Sequence, residues 1–163
     1  MWLLKWIGIT VVSLLVLAVL AGQLGFLKGQ PAARLGVTEG KLAPPAKTPN
    51  SVSSQANLWP DAPRHQEAQI AALPLQGDAA KTMAKLKSIV EKTAGAQVVE
   101  SRGDYLYAQY TSRLMKFVDD VEFWVDPAAG VVQVRSASRL GEKDFGVNRA
   151  RVESIRQALA NPG

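Results

Sequence analysis

The chain has 163 residues, a formal net charge of +5, one histidine and no cysteine. The absence of cysteine excludes disulfides, thiolate metal sites and cysteine nucleophiles, and one histidine cannot by itself build a histidine-based metal site or catalytic triad. Residues 65–163 carry thirteen basic and twelve acidic side chains, so the positive charge lies mainly upstream of them. A nucleic-acid-binding surface is therefore not expected.

The N-terminus begins with a long apolar segment. Residues 6–27 carry no charge, and about 20 helical residues cross a bilayer core. Trp2 and Trp6 flank Lys5 at the start of the segment, where aromatic rings prefer the headgroup level. Residues 1–27 are therefore predicted to be a transmembrane anchor.

A cleaved signal peptide is the alternative, because Val19-Leu20-Ala21 has small residues at the spacing that a signal peptidase recognises. The apolar character continues past Ala21 to Leu27, beyond the usual core of about 7 to 15 residues, and this favours an anchor. Lys5 and the terminal amine favour a cytoplasmic N-terminus, which places the domain on the periplasmic side of a single-pass membrane protein. Four basic residues after the span oppose that orientation and are candidates for contacts with anionic lipid: Lys28, Arg34, Lys41 and Lys47.

Residues 28–64 form a basic segment that holds six of the nine prolines, and we call it the proline-rich segment. Regular structure should be sparse there. Two interpretations stay open, a flexible stalk or an extended segment that partly packs on the domain. The second is supported by apolar side chains that a solvated linker does not need: Leu35, Val37, Leu42, Val52, Leu58 and Trp59.

Residues 65–163 are predicted to be a single α+β domain. A helix should begin at the N-cap Asp78 and end by Gly95, since Met83, Leu86, Ile89 and Val90 recur at helical spacing. A hairpin follows, with strands over residues 98–101 and 105–112. A C-terminal helix has an apolar stripe of Val152, Ile155 and Leu159, with Asn148 as a possible cap. Its arginines are expected to point away from this stripe: Arg149, Arg151 and Arg156.

A second hairpin joins residues 117–126 to residues 131–140 through the turn Pro127–Gly130. With Asp126 opposite Val131, Phe123 meets Val134 on an apolar face, and Glu122 meets Arg135 on the other face. The order helix, four strands, helix predicts an α+β fold with a four-stranded antiparallel sheet and two helices on one face.

The strands of this hairpin carry a candidate polar cluster: Asp119, Asp120, Glu122, Arg135, Ser138 and Arg139. Its carboxylates could bind a hard cation or act as a general base. Alternation, however, places Asp119 on the apolar face, away from Asp120 and Glu122, and the two arginines neutralise the other pair. A structural ladder is therefore the favoured interpretation.

Asp119 lies on the apolar face and therefore needs hydrogen-bond donors. Ser138 or the backbone amides of residues 50–55 are expected to supply them. Asn148 and Arg149 are a candidate anion-binding pair at a helix N-terminus, with a solvated cap as the favoured alternative. The sequence indicates no metal site and no cofactor.

Several segments together resemble a bacterial and plastid family called domain of unknown function 1499. They are Lys-Phe-Val-Asp-Asp-Val-Glu-Phe at residues 116–123, Val-Arg-Ser-Ala-Ser-Arg-Leu-Gly at 134–141, Asp-Phe-Gly-Val-Asn-Arg at 144–149, and the upstream segments at 42–44 and 49–55. The resemblance spans about residues 35–159 and implies a small domain that is often membrane-anchored or exported, with no agreed activity.

The resemblance also implies that residues 35–55 pack on the domain, because a stalk would not need the motif. Many relatives have two cysteines flanking the Pro-Asn pair, where this chain has Pro45 and Ser51. The family's thiols therefore give no redox role here.

Two classes of function remain. The favoured one is a membrane-tethered binding or accessory module that meets a protein or anionic-lipid partner near the bilayer. The alternative is a small hydrolase-like or metal-assisted enzyme that uses Asp119, Asp120 and Glu122. The two differ in whether these carboxylates converge on an open pocket or are paired with arginines.

Overall fold

The computed structural model describes residues 2–161. The fold is α+β, as predicted, with an antiparallel sheet and an apolar N-terminal helix, but the sheet has six strands and not four. The helices are α1 (Trp2–Gln23), α2 (His65–Ala68), α3 (Ala79–Glu91) and α4 (Val147–Ala160), with a 3₁₀ turn at Ala56–Leu58. The strands are β1 (Ser51–Ser53), β2 (Leu73–Pro74), β3 (Ala96–Ser101), β4 (Tyr105–Thr111), β5 (Val118–Asp126) and β6 (Val131–Ser138).

The two predicted hairpins form four adjacent strands of the sheet, in the order β6, β5, β4, β3, with β3 at one edge. Asp126 pairs with Val131, Phe123 with Val134, and Glu122 with Arg135. The predicted register is therefore confirmed. The alternation of apolar and polar residues fixes it, since a shift by one residue would exchange the two faces of the strand.

The two missed strands both pair with the free edge of β6. Ser51–Ser53 pairs with residues 135–137, and Leu73–Pro74 pairs with Val131 and Val132. Each is too short to show a local pattern of alternation. Each is a strand because its backbone pairs with β6, which is distant in sequence. Ser54 strengthens this edge, because its hydroxyl accepts a hydrogen bond from the Val134 amide at 2.8 Å.

The two long helices of the domain pack on one face of the sheet. Asp78 caps α3 as predicted, since its side chain accepts a hydrogen bond from the Lys81 amide at 2.7 Å. The predicted cap at Asn148 is wrong: the N-cap of α4 is Gly146, with φ of 83°. The core beneath the helices includes Met83, Leu86, Val90, Val152, Ile155 and Leu159 on the helices, with Leu106, Val121, Phe123 and Val134 on the sheet.

The opposite face of the sheet is covered by residues 35–45, which we call the covering segment. Leu42 is fully buried there against Tyr105 and Tyr107, and Leu35 and Val37 pack at the margin of the same small cluster. The Leu42 amide donates to the Gln55 side chain at 2.8 Å, so the cover is also hydrogen-bonded. The sheet therefore has two buried faces.

Helix α1 has one charged residue, Lys5 near its start, and a mean hydropathy of 2.4 over its most apolar window. It is long and apolar enough to cross a membrane, although a signal sequence has the same properties. Its side chains are largely exposed, whereas Gly22 near its end is buried. The apolar surface of α1 thus projects away from the domain.

Candidate functional site

Four residues of the candidate polar cluster lie together on the covered face of the sheet. Two tyrosines, Tyr105 and Tyr107, hydrogen-bond to the carboxylates of this group. We call the six residues together the Glu122 cluster: Asp120, Glu122, Arg135, Arg139, Tyr105 and Tyr107. Glu122 is 0% exposed, Asp120 2% and Arg135 4%. Ionised side chains this deeply buried must be paired and hydrogen-bonded, because desolvating an isolated charge is very unfavourable.

Glu122 lies at the centre of this cluster. Its Oε1 accepts hydrogen bonds from the Gly36 amide at 2.7 Å and from the Tyr105 hydroxyl at 2.8 Å. Its Oε2 lies 3.5 Å from Nη1 of Arg135. Burial raises the pKa of Glu122, while the Gly36 amide, Arg135 and Tyr105 act in the opposite direction. The covering segment therefore contributes directly to holding this carboxylate.

Arg135 connects the sheet to the covering segment. Its Nε donates to the Pro44 carbonyl at 3.2 Å. Burial lowers the pKa of Arg135, and the Glu122 carboxylate opposes that change. The guanidinium is thus held between a carboxylate on β5 and a backbone carbonyl of the proline-rich segment.

Asp120 forms the second pair of the cluster. Arg139 donates to both of its carboxylate oxygens, at 2.9 Å from Nε and 2.8 Å from Nη2, and the Tyr107 hydroxyl donates to Oδ1 at 2.6 Å. This bidentate geometry is among the stronger arginine–carboxylate arrangements. The predicted ladder of Glu122 with Arg135 and Asp120 with Arg139 is confirmed by these contacts.

A cavity of about 380 Å³ lies beside this ladder. Its sheet side is lined by Asp120, Arg135 and Arg139, and its other side by residues 30–33 and 45–47 of the proline-rich segment. Ser138 also lines it. A general base needs a carboxylate that is free to take a proton from a substrate. Asp120 instead accepts three hydrogen bonds within the protein, which favours a structural role.

Asp119 lies on the other face of the sheet, as alternation predicts. The expectation that Ser138 or the backbone of residues 50–55 would donate to it is wrong, because the donor is the Arg151 guanidinium of α4. The three carboxylates therefore do not converge on one pocket. Across residues 2–161, no three His, Asp or Glu side chains are grouped as a metal ion would require.

The buried side chain of Asn148 organises this second region. Its Oδ1 accepts from the Ser136 hydroxyl and from Arg151, both at 2.6 Å, and its Nδ2 donates to the Asn50 carbonyl at 3.0 Å and the Ser138 hydroxyl at 2.9 Å. All four hydrogen bonds of the amide are thus made within the protein. Asn148 joins α4 to the edge of the sheet.

Arg149, the other half of the candidate anion-binding pair, lies on the exposed side of α4. Its Nη2 donates to the Glu67 and Gln69 carbonyls, at 2.9 Å each. Binding of an anion at Asn148 and Arg149 stays a prediction. The hydrogen bonds of Asn148 and Arg149 weaken this prediction, because an anion would have to compete with the carbonyl and hydroxyl oxygens that already accept from them.

The residues that the sequence did not single out are Tyr105, Tyr107 and Arg151. The two tyrosines follow the alternation of β4, and their spacing places them on the face of Asp120 and Glu122. Arg151 was expected to point away from the core. It lies three residues after Asn148, so both side chains point to the same side of α4, and this spacing was the available signal.

Replacing Asp119 with alanine should lower the free energy of unfolding by about 1 to 3 kcal/mol, because the largely buried Arg151 loses its carboxylate. Equilibrium urea unfolding of the full chain in mild detergent, followed by circular dichroism, measures this. Glu91→Ala is the matched control. The Glu91–Lys87 pair is exposed, so its loss should lower the free energy of unfolding by at most about 1 kcal/mol. An Asp119→Ala protein with normal stability but without binding would instead assign Asp119 to function.

The model of a family described as "Protein of unknown function (DUF1499)" matches residues 41–159. This is the family that the sequence motifs resemble, and the match covers most of the chain. No curated protein and no solved structure matches the chain. The match begins at Lys41, inside the proline-rich segment, so it includes residues 41–45 of the covering segment.

Proposed function

We propose that this chain, which belongs to the DUF1499 family of unknown function, is a membrane-tethered binding module. Helix α1 anchors it, and the α+β domain meets a lipid or protein partner at the bilayer surface. The observation that carries the proposal is the way in which the end of α1 packs into the domain. Such packing holds the domain next to the membrane rather than at the end of a long tether.

The contact between α1 and the domain is made by the loop between β4 and β5. The Gln23 side chain donates to the Leu114 carbonyl at 3.0 Å. The backbone of Gly22 packs so closely on Met115 that a Cβ there would overlap the Met115 carbonyl. A glycine at this position therefore permits an approach that any larger residue would prevent.

Apolar side chains are exposed around this contact. Phe26 follows α1, while Leu114 and Phe117 belong to the loop that touches it, and all three are exposed. Leu140 is exposed too and lies against Gly29. We call these four residues the juxtamembrane rim. Basic residues adjoin it in sequence, namely Lys28, Arg113 and Lys116, which suits a surface resting on anionic headgroups.

Retention of the anchor is supported by the apolar run, which continues past Ala21 to Leu27, beyond the usual signal-peptide core of about 7 to 15 residues. The contact of Gly22 and Gln23 with the domain does not bear on retention, because both residues would remain after cleavage at Ala21. We place the domain on the extracytoplasmic side, because Lys5 and the terminal amine precede the span. An enzyme using Asp119, Asp120 and Glu122 is the weaker proposal, since each carboxylate already pairs with an arginine.

Membrane washing tests the anchoring. The full-length protein should remain in the membrane fraction through high salt and carbonate, because burial of α1 in the bilayer does not depend on ionic contacts. Edman or mass-spectrometric sequencing should find the intact N-terminus. A soluble chain that begins at or near Gly22 would overturn the anchor and indicate secretion.

A further inference from the structure

An open, mostly apolar groove of about 590 Å³ lies between α3 and α4. We call it the interhelical groove. Its floor is Tyr110 of β4, and its walls include Ile89 on α3 and Ala150, Ile155 and Ala158 on α4. This size falls within the range of about 300 to 1,000 Å³ that is usual for small-molecule sites. The groove lies on the helix-covered face of the sheet, away from the Glu122 cluster.

A buried polar atom lies at the floor of this groove. Tyr110 is 6% exposed, and its hydroxyl has no hydrogen-bond partner within residues 2–161. Thr93 lies beside it, and the Thr93 hydroxyl donates to the Ile89 carbonyl at 2.8 Å, but the geometry does not let the Thr93 oxygen accept a hydrogen bond from Tyr110. An unsatisfied buried donor costs about 1 to 3 kcal/mol. A ligand oxygen in the groove would accept this hydrogen bond.

The charges at the groove favour an anionic ligand. Lys92 and Arg151 line it, and among the described residues no aspartate or glutamate does. The Arg151 guanidinium lies over the Tyr110 ring, 4.6 Å from its centre, and is neutralised by Asp119. Lys92 is exposed at the end of α3 and forms no ion pair within residues 2–161. One positive charge in the lining of the groove therefore remains available to a ligand.

The groove also lies at the end of the domain that the anchor contacts. Gly95, just after Lys92 and Thr93, packs on the carbonyl of Thr111, the residue that follows Tyr110. The loop that starts there reaches Leu114, where Gln23 docks. Tyr110 at the floor of the groove and Leu114 at the anchor contact are thus four residues apart in the chain.

We propose that the interhelical groove binds a fatty acid drawn from the bilayer. The acyl chain packs along Ile89, Ala150, Ile155 and Ala158, and the carboxylate accepts a hydrogen bond from Tyr110 and faces Lys92. The apolar walls, the unpaired hydroxyl and the unpaired cation together fit a molecule with one chain and one negative charge. This inference rests on the proposed function for its source of ligand.

A photoactivatable fatty acid tests the proposal. The full-length chain in nanodiscs is irradiated with a probe that carries a diazirine in the acyl chain, and labelled peptides are identified by mass spectrometry. Labels are expected on α3 and α4 as well as on α1, which lies in the lipid. The methyl ester of the probe should label α3 and α4 about tenfold less, because the ester can still accept from Tyr110 but has lost the negative charge that faces Lys92.

Matched variants locate the site. Ala150→Trp places a bulky side chain in the groove and should reduce labelling of α3 and α4 about tenfold, whereas Ala84→Trp, on the exposed side of α3, should leave it unchanged. Tyr110→Phe should reduce labelling by the free acid about tenfold, because the carboxylate loses its hydrogen-bond donor. Its melting temperature should not fall, because the hydroxyl that it removes is unpaired.

Three outcomes would overturn the proposal: labels confined to α1, equal labelling of the Ala150→Trp and Ala84→Trp proteins, or equal labelling by acid and ester. The last would indicate a neutral lipid or nonspecific apolar contact. Labelling of α1 is the separate control for anchoring. If α1 were unlabelled in every variant, the proposed membrane tether would fail, whatever the groove binds.

Discussion

Arg135→Ala should lower the free energy of unfolding by about 3 to 5 kcal/mol, the usual effect of removing one partner of a buried ion pair. The reason is the position of Glu122, which is fully buried and would lose the cationic partner that lies 3.5 Å from it. If this face of the sheet were exposed to water, the same change would lower the free energy of unfolding by only about 0 to 1 kcal/mol. Urea unfolding of the full chain in mild detergent gives the value.

Two further variants separate the causes of this loss. Lys87→Ala removes a cation from an exposed pair with Glu91 and should change stability by at most about 1 kcal/mol. In a Glu122→Gln background, Arg135→Ala should be less destabilising, because no carboxylate is left unpaired. A small effect of Arg135→Ala in the wild-type background would mean that the proline-rich segment does not cover the pair.

Leu42→Ala should lower the free energy of unfolding by about 2 to 5 kcal/mol, as for other fully buried leucines. Leu42 is 0% exposed although it lies in the segment that could have been a stalk. Its loss should also loosen the cover over Tyr105 and Tyr107. Protection of the Gly36 amide from hydrogen exchange should therefore fall together with stability, since this amide donates to Glu122.

The control for this variant lies in the same segment. Leu58 is exposed, so Leu58→Ala should change stability by less than about 0.5 kcal/mol. If both leucine variants unfold like the wild type, residues 35–45 act as a tether only. The Glu122 cluster would then be open to solvent, and its carboxylates would again be candidates for chemistry.

The parts of the fold that the sequence predicts are those with local signals. Asp78 caps α3, and the alternation from Val118 to Asp126 is enough to fix the register of β5 on β6. Strands β1 and β2 could not be found this way. They have three and two residues, and their stability comes from the edge of β6, which is distant in sequence.

The candidate site divides in the same way. The pairing of Glu122 with Arg135 follows from the register, so it could be predicted. Whether water reaches the pair depends on where residues 35–45 lie, and no local pattern decides that. The pairing of Arg151 with Asp119 could not be predicted, because the two residues are 32 positions apart and lie on different elements.

Spin labels at single cysteines test most directly whether the domain rests on the bilayer, and the chain offers a cysteine-free background. Labels at Leu114→Cys and Leu140→Cys should be more accessible to oxygen than to a water-soluble nickel complex when the full chain is in nanodiscs. A label at Ala129→Cys, in the turn at the other end of β5, should show the reverse. Gly22→Ala should move the Leu114 label into water, whereas Gly8→Ala, where a Cβ meets open space, should not. Equal exposure of all three labels to the nickel complex would contradict a domain held at the membrane surface.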